Sequence, residues 1–155
     1  MRTMIIAVAL LAGAAQAQEK AAKASADVNR GRYLVATSGC NDCHTPGYPA
    51  SGGKVDEKLW MTGDKLGWRG PWGTTYPANL RLTASRMTET QFIALARNPQ
   101  LRPPMPWFVL RDMNDRDVRA IYRYLKHAGP AGEPAPAYVP PDKTPNQPFV
   151  QFPMK

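Results

Sequence analysis

Cysteine and histidine are scarce in this chain, with two of each among 155 residues. Cys40 and Cys43 are its only thiols, which excludes a framework of structural disulfides. A bridge between these two would close a loop too small to stabilise much. Four ligands for a structural zinc site are also hard to assemble, since His127 lies far along the chain from Cys40, Cys43 and His44. Long apolar runs are lacking too. The stretch from Met4 to Ala12 is shorter than the roughly 20 residues a bilayer-spanning helix needs, and no later stretch is more apolar, so no transmembrane segment is expected in the mature chain. The 20 Lys and Arg outnumber the 12 Asp and Glu. No basic helix or RNA-binding aromatic signature accompanies that excess, so nucleic acid is not expected as a partner.

The apolar stretch has another use. A positive start at Met1-Arg2, the run Met4 to Ala12 and the small-x-small site Ala15-Gln16-Ala17 have the form of a secretory signal peptide, cleaved after Ala17. About 138 residues would remain, enough for one domain with a modest core. Losing Arg2 leaves 19 basic and 12 acidic residues, a charge of +7. Such a surface steers a protein toward acidic partners, or simply keeps it soluble.

The most informative stretch is Cys40-Asn41-Asp42-Cys43-His44. Two cysteines at this spacing suit thioether bonds to the two vinyl groups of one haem, and a histidine directly after the second suits the iron. C-x-x-C-H reads as covalent attachment of haem c, with His44 as the proximal ligand. A thioredoxin-like redox pair is the main alternative use of C-x-x-C, but it requires a βαβ context that the sequence does not display. Haem c is attached outside the bacterial inner membrane, which agrees with a leader and a periplasmic location.

The remaining chain reads as follows. Residues 18–26, rich in Ala, Lys and Glu, form a flexible lead-in with helical potential. Asp27 is a candidate N-cap for a helix through about Thr37, whose apolar set, Val28, Tyr33, Leu34 and Val35 with Gly31, gives one crowded face. Gly31 marks either a close helix crossing or a locally tolerated glycine. Residues 45–86 carry repeated Gly and Pro and read mostly as loop. A loop of that length is unusual in a small domain unless it wraps a prosthetic group. Trp60, Trp68 and Trp72 would then anchor it, and their N–H groups or Arg69 could meet a haem propionate, ordinary packing or surface ion pairing being the alternative. Thr88-x-x-Gln91 is a capping box opening a second helix, with Met87 and Phe92 as a hydrophobic staple and Asn98-Pro99 as its stop. Asn114-x-x-Asp117 resembles another box, and Val118, Ile121, Tyr122 and Leu125 recur at helical spacing up to Lys126-His127 and Gly129-Pro130. Residues 129–155 are Pro-rich and aperiodic. They are expected to be an extended tail, lying on the domain through Tyr138, Phe149 and Phe152 or else disordered.

Met105, within Arg102-Pro103-Pro104-Met105-Pro106-Trp107, is the leading candidate for a distal iron ligand. It sits in a stiff segment between two helices, well downstream of His44, and a preordered loop loses less entropy on binding. Met61, in the long loop, is the second candidate. Met87 and Met113 each precede a helix cap, where packing accounts for them, and Met154 is next to the terminus. His127 follows a helix whose apolar face is already used.

Taken together, Gly31-Arg32-Tyr33-Leu34-Val35, Cys40-x-x-Cys43-His44-Thr45-Pro46, Gly70-Pro71-Trp72-Gly73, Tyr76-Pro77-Ala78-Asn79-Leu80, Pro104-Met105-Pro106-Trp107 and Asp117 to Leu125 resemble a class I c-type cytochrome. The likeness extends to small periplasmic monohaem carriers and to the haem domains of dehydrogenase cytochrome subunits. It implies an all-α cytochrome c fold over residues 27–128, three main helices and long loops around one covalently bound haem, with the N- and C-terminal helices crossing. It implies His44 and Met105 as axial ligands, a carbonyl of Pro77 or Ala78 accepting from His44 Nδ1, and Leu80 against the ring. Unlike the dehydrogenase subunits, this chain has a single motif and no anchor. The function so implied is single-electron transfer, not catalysis, between periplasmic redox proteins such as a dehydrogenase donor and an oxidase or second cytochrome. A tightly bound dehydrogenase subunit and an open-site ligand-binding haem protein are the alternatives.

Overall fold

A computed structural model describes residues 3–97 and 101–154. Helices α1 (Thr3–Thr37) and α6 (Asp115–Ala128) form its long framework. Between them lie α2 (Cys40–His44), strands β1 (Gly67–Gly70) and β2 (Gly73–Thr75), and helices α3 (Leu80–Ser85), α4 (Glu89–Arg97) and α5 (Trp107–Asp112). Strand β3 (Phe149–Gln151) comes last. The architecture is mostly helical but not plainly all-α, because the strands form a small sheet in the order β2-β1-β3.

The first predicted helix is there but starts earlier. No Gly or Pro interrupts residues 18–26, so the lead-in is helical and continuous with the segment before it. Asp27 therefore lies inside α1, where it does not cap; its carboxylate pairs with Arg123 of α6. The helix ends at Thr37, as predicted, before Gly39 with φ 72°; of the expected apolar face Val35 is buried, whereas Tyr33 is exposed.

Helices α1 and α6 cross at Gly31, and the steric reason is direct. A Cβ placed there would lie 2.0 Å from the Ala120 carbonyl oxygen and 2.8 Å from Tyr124 Cβ. The ambiguity over Gly31 thus resolves as a close crossing. On the other side of the contact, Val118, Ile121, Tyr122, Tyr124 and Leu125 are all buried, as the helical spacing requires. Arg30 and Asp117 add an ion pair between the two helices.

Both cap signatures act locally, with one difference. Thr88 N–H donates to Gln91 Oε1 at 2.9 Å and Gln91 N–H to Thr88 Oγ1 at 3.3 Å, a complete reciprocal box. Asn114 Oδ1 accepts from Asp117 N–H at 2.9 Å. Asp117 does not return to the Asn114 backbone; it accepts from Asn114 Nδ2 and from Arg30. The Asn98-Pro99 stop lies outside the described residues.

The long loop is more ordered than its Gly and Pro content suggests. Gly73 at φ 92° turns the chain so that β2 returns antiparallel on β1, pairing Trp68 with Thr75 and Gly70 with Gly73. The tail then lies along it. Thr74 and Val139 form a bridge, and β3 runs parallel to β1 with Trp68 opposite Val150. Tyr138 O–H donates to the Trp72 carbonyl at 2.8 Å, and the Phe152 ring packs on Trp68 and Trp72 at 6.0 and 5.3 Å. The tail is extended and lies on the domain, one of the two expected outcomes. No helix among the described residues is long and apolar enough to cross a membrane.

Replacing Gly31 by Ala should lower the unfolding free energy by about 3 kcal/mol, because neither backbone can yield without separating the helices. An unchanged denaturant midpoint would exclude the crossing. Arg30 and Asn114 hold the Asp117 carboxyl below its ordinary range. Its contribution is therefore present at neutral pH and lost as pH falls through that lowered value. Asp117→Asn should cost at most about 1 kcal/mol at pH 7, since solvent reaches the pair. The gap from the unaltered chain should narrow toward pH 2 in acid-unfolding curves, whereas a constant gap would assign the cost to the cap alone.

Candidate cofactor cavity

Helix α2 is a single turn made entirely of the Cys-x-x-Cys-His motif. Its i, i+3 spacing puts Cys40 and Cys43 on one side, and both line a cavity of about 390 Å3 together with His44 and Met105. The walls are mainly apolar, with Leu80, Phe92, Leu95, Val109 and Ile121 among them. The structure thus gathers the four predicted site residues, taken from two segments some sixty residues apart, around one space.

His44 is 8 % exposed and held in one orientation. Its Nδ1–H donates to the Ala78 carbonyl at 2.8 Å, which makes Ala78, of the two residues suggested by resemblance, the acceptor. Burial pushes the imidazole pKa down, against the opposing pull of the Ala78 bond. A neutral ring with its proton on Nδ1 carries the free lone pair on Nε2, the form a metal ligand needs.

The thiols are tuned away from thiol chemistry. Burial pushes Cys40 up to about 11. Cys43 is also raised, by burial first and then by Asp42 and Asp64. A reactive redox pair needs the reverse, a thiol stabilised as thiolate. Among the described residues no three or more His, Cys, Asp and Glu side chains gather as a metal cluster, so a zinc site has no ready ligand set.

Thr45, directly after the histidine, locks the wall behind it. Its O–H donates to Asn41 Oδ1 at 2.7 Å, and it accepts from Met61 N–H at 2.8 Å. Gly63 N–H donates to the His44 carbonyl at 2.9 Å, and Leu80 N–H to the Met61 carbonyl at 3.0 Å. Met61 is 1 % exposed and has φ 62°, a left-handed conformation that costs a non-glycine residue about 1 kcal/mol or more. Those backbone bonds hold it there. Met61 lines the cavity too, but it is fixed to the same wall as His44. Met105 comes from the separate segment before α5 and is only half-buried.

Sequence reasoning missed some of this lining. Met113, read as a helix-cap staple, also borders the cavity, because α5 turns the chain after Pro106. Of the three loop tryptophans, Trp60 and Trp72 donate to the Val55 and Trp68 carbonyls, whereas Trp68 lines the cavity. Arg69 is occupied with the Lys143 and Pro141 carbonyls of the tail, at 2.7 and 3.1 Å. Arg102 borders the cavity instead.

Thr45→Val keeps the shape and deletes both hydroxyl bonds, leaving Met61 N–H and Asn41 Oδ1 buried without partners. It should lower stability by about 2 kcal/mol in chemical denaturation; a neutral substitution would show that the lock contributes nothing.

No family model matches the chain, and no solved structure matches it. The chain is similar to a subunit of nicotinate dehydrogenase from Pseudomonas putida, 29 % identical over 123 residues, a match covering 73 % of this chain and 10 % of that protein. It thus spans about a tenth of the relative's length.

Proposed function

We propose that this chain is a monohaem c-type cytochrome of class I, exported to the periplasm, that transfers single electrons between redox proteins. The observation that carries the reading is the convergence of Cys40, Cys43, His44 and Met105 on one apolar cavity, with His44 Nδ1 engaged by Ala78. The residues fit the group: two half-buried thiols for thioether bonds, one oriented imidazole, and thioether side chains from other segments. Haem bound there supplies a one-electron ferric–ferrous couple.

In this reading Cys40 and Cys43 would hold the macrocycle through thioether bonds, and His44 Nε2 and Met105 Sδ would bind the iron. Ala78 fixes the imidazole and strengthens it as a donor. With both protein ligands on the iron no position would be left for a substrate, so the role proposed is electron transfer rather than bond chemistry. The apolar walls keep water away and favour the less charged ferrous state. The basic surface suits brief docking to acidic donors and acceptors, a dehydrogenase on one side and an oxidase or another cytochrome on the other.

A second reading, a resident electron-transfer component of a dehydrogenase, draws on the likeness to a protein named as a dehydrogenase subunit. Its version with the tail as a partner-binding arm is weakened, because the tail pairs with the chain's own loop.

Protein exported in a host with haem-attachment machinery should show the α-band of reduced haem c. In an optical redox titration Met105→Ala should have a lower midpoint potential than the unaltered chain, and it should lose the weak sulfur-to-iron band at the red end. An unchanged spectrum would move the ligand to Met61 or Met113, and a folded, colourless product would overturn the haem reading itself.

A further inference from the structure

We infer that Arg102, propped on Tyr138 of the tail, binds a carboxylate of the haem and thereby raises the midpoint potential. The inference rests on the haem reading above and adds a residue that its ligand set does not include.

Three observations converge on Arg102. It is the one lysine or arginine among the described residues lining the large cavity, and no Asp or Glu lines that cavity. It also lines a second, adjoining cavity of about 350 Å3, bordered by Thr75, Asn79, Arg86, Pro134 and Tyr138, and again by no carboxylate. The two spaces share Thr75, Tyr76, Ala78, Thr83 and Arg102, so Arg102 stands where they meet. Among the described residues no acidic side chain forms a salt bridge with it.

The guanidinium is nonetheless held in place. Its Cζ lies 4.0 Å from the Tyr138 ring centroid, a cation–π contact that favours this position of the side chain without using its N–H donors. Tyr138 in turn donates to the Trp72 carbonyl, and the neighbouring Val139 pairs with Thr74. The next residue along, Pro103, accepts from Thr75 O–H at 2.5 Å. A solvent-exposed cation at the edge of the cavity, with no acidic side chain paired to it among the described residues, is matched to an anion that arrives with the occupant. Haem brings two carboxylates on an otherwise apolar body, and a planar guanidinium pairs with a carboxylate in a bidentate manner. A fixed positive charge there disfavours the extra positive charge of ferric iron. Because the tail supplies the prop, it would act on the potential through Arg102, which makes Tyr138 a positioning residue.

The test uses the full exported chain with its haem attached, verified by the α-band, at one fixed solution potential near the midpoint. Arg102→Gln should raise the ferric-to-ferrous ratio by about fivefold. It should also shift the propionate-bending mode in the resonance Raman spectrum, which reports hydrogen bonding to that carboxylate. Arg102→Lys, which keeps the charge, should stay within about twofold of the unaltered chain. Tyr138→Leu should move the ratio in the same direction by less. A ratio and bending mode unchanged in Arg102→Gln would overturn the inference while leaving the haem reading intact. Absence of the α-band from the unaltered chain would overturn both.

Discussion

The Ala78 carbonyl accepts the Nδ1–H of His44 at 2.8 Å, and this contact decides which ring nitrogen is left facing the cavity. Much of the surrounding structure keeps these partners together, although they are 34 residues apart. Asn79 caps α3 through Oδ1, accepting from Leu82 N–H at 3.0 Å, and its Nδ2 donates to the Ala131 and Glu133 carbonyls of the tail. Leu80 and Arg81 donate their backbone N–H groups to the Met61 carbonyl. Buried Arg81 donates to the carbonyls of Lys58, Ala128 and Gly129, tying α3 to the end of α6. The segment that orients the imidazole is thus fastened on three sides, by the loop before it, by the last long helix and by the tail.

The crossing of α1 and α6 supplies the frame on which this fastening depends. α2 follows α1 with only Ser38 and Gly39 between them, so the angle of α1 against α6 determines where the two cysteines and His44 emerge. A side chain at position 31 would shift that angle before it disturbed any residue lining the cavity. The long-range order of the molecule therefore rests on close backbone contact at the crossing, and the local order of the site on hydrogen bonds.

Local patterns formed by neighbouring residues were legible in the sequence. The five-residue motif, the Thr88–Gln91 box and the helical repeat of α6 all depend on spacings of five residues or fewer, and each has its counterpart in the structure. The sheet was not legible, because strands of three or four residues containing Gly67, Gly70 and Gly73 have no period and pair with a segment some eighty positions away. Helices α3 and α5 were missed for their brevity, at six residues each. Missing α5 also concealed Met113, whose place before a helix cap already had a sufficient local explanation. The start of α1 was misplaced because Asp27 has the chemistry of a cap but uses it to pair with Arg123. Arg102 left no local trace at all, since its setting is created by Tyr138, 36 positions later in the sequence.

The parallel pairing of β3 with β1 bears on the order in which the molecule is completed. A polypeptide emerging amino-end first presents β1 and β2 long before their partner strand has been synthesised. The two-stranded ribbon of Gly67–Gly70 and Gly73–Thr75 can close on itself at once, whereas its parallel neighbour must wait for the whole chain. The topology thus places the sheet's outer strand last in time as well as last in sequence.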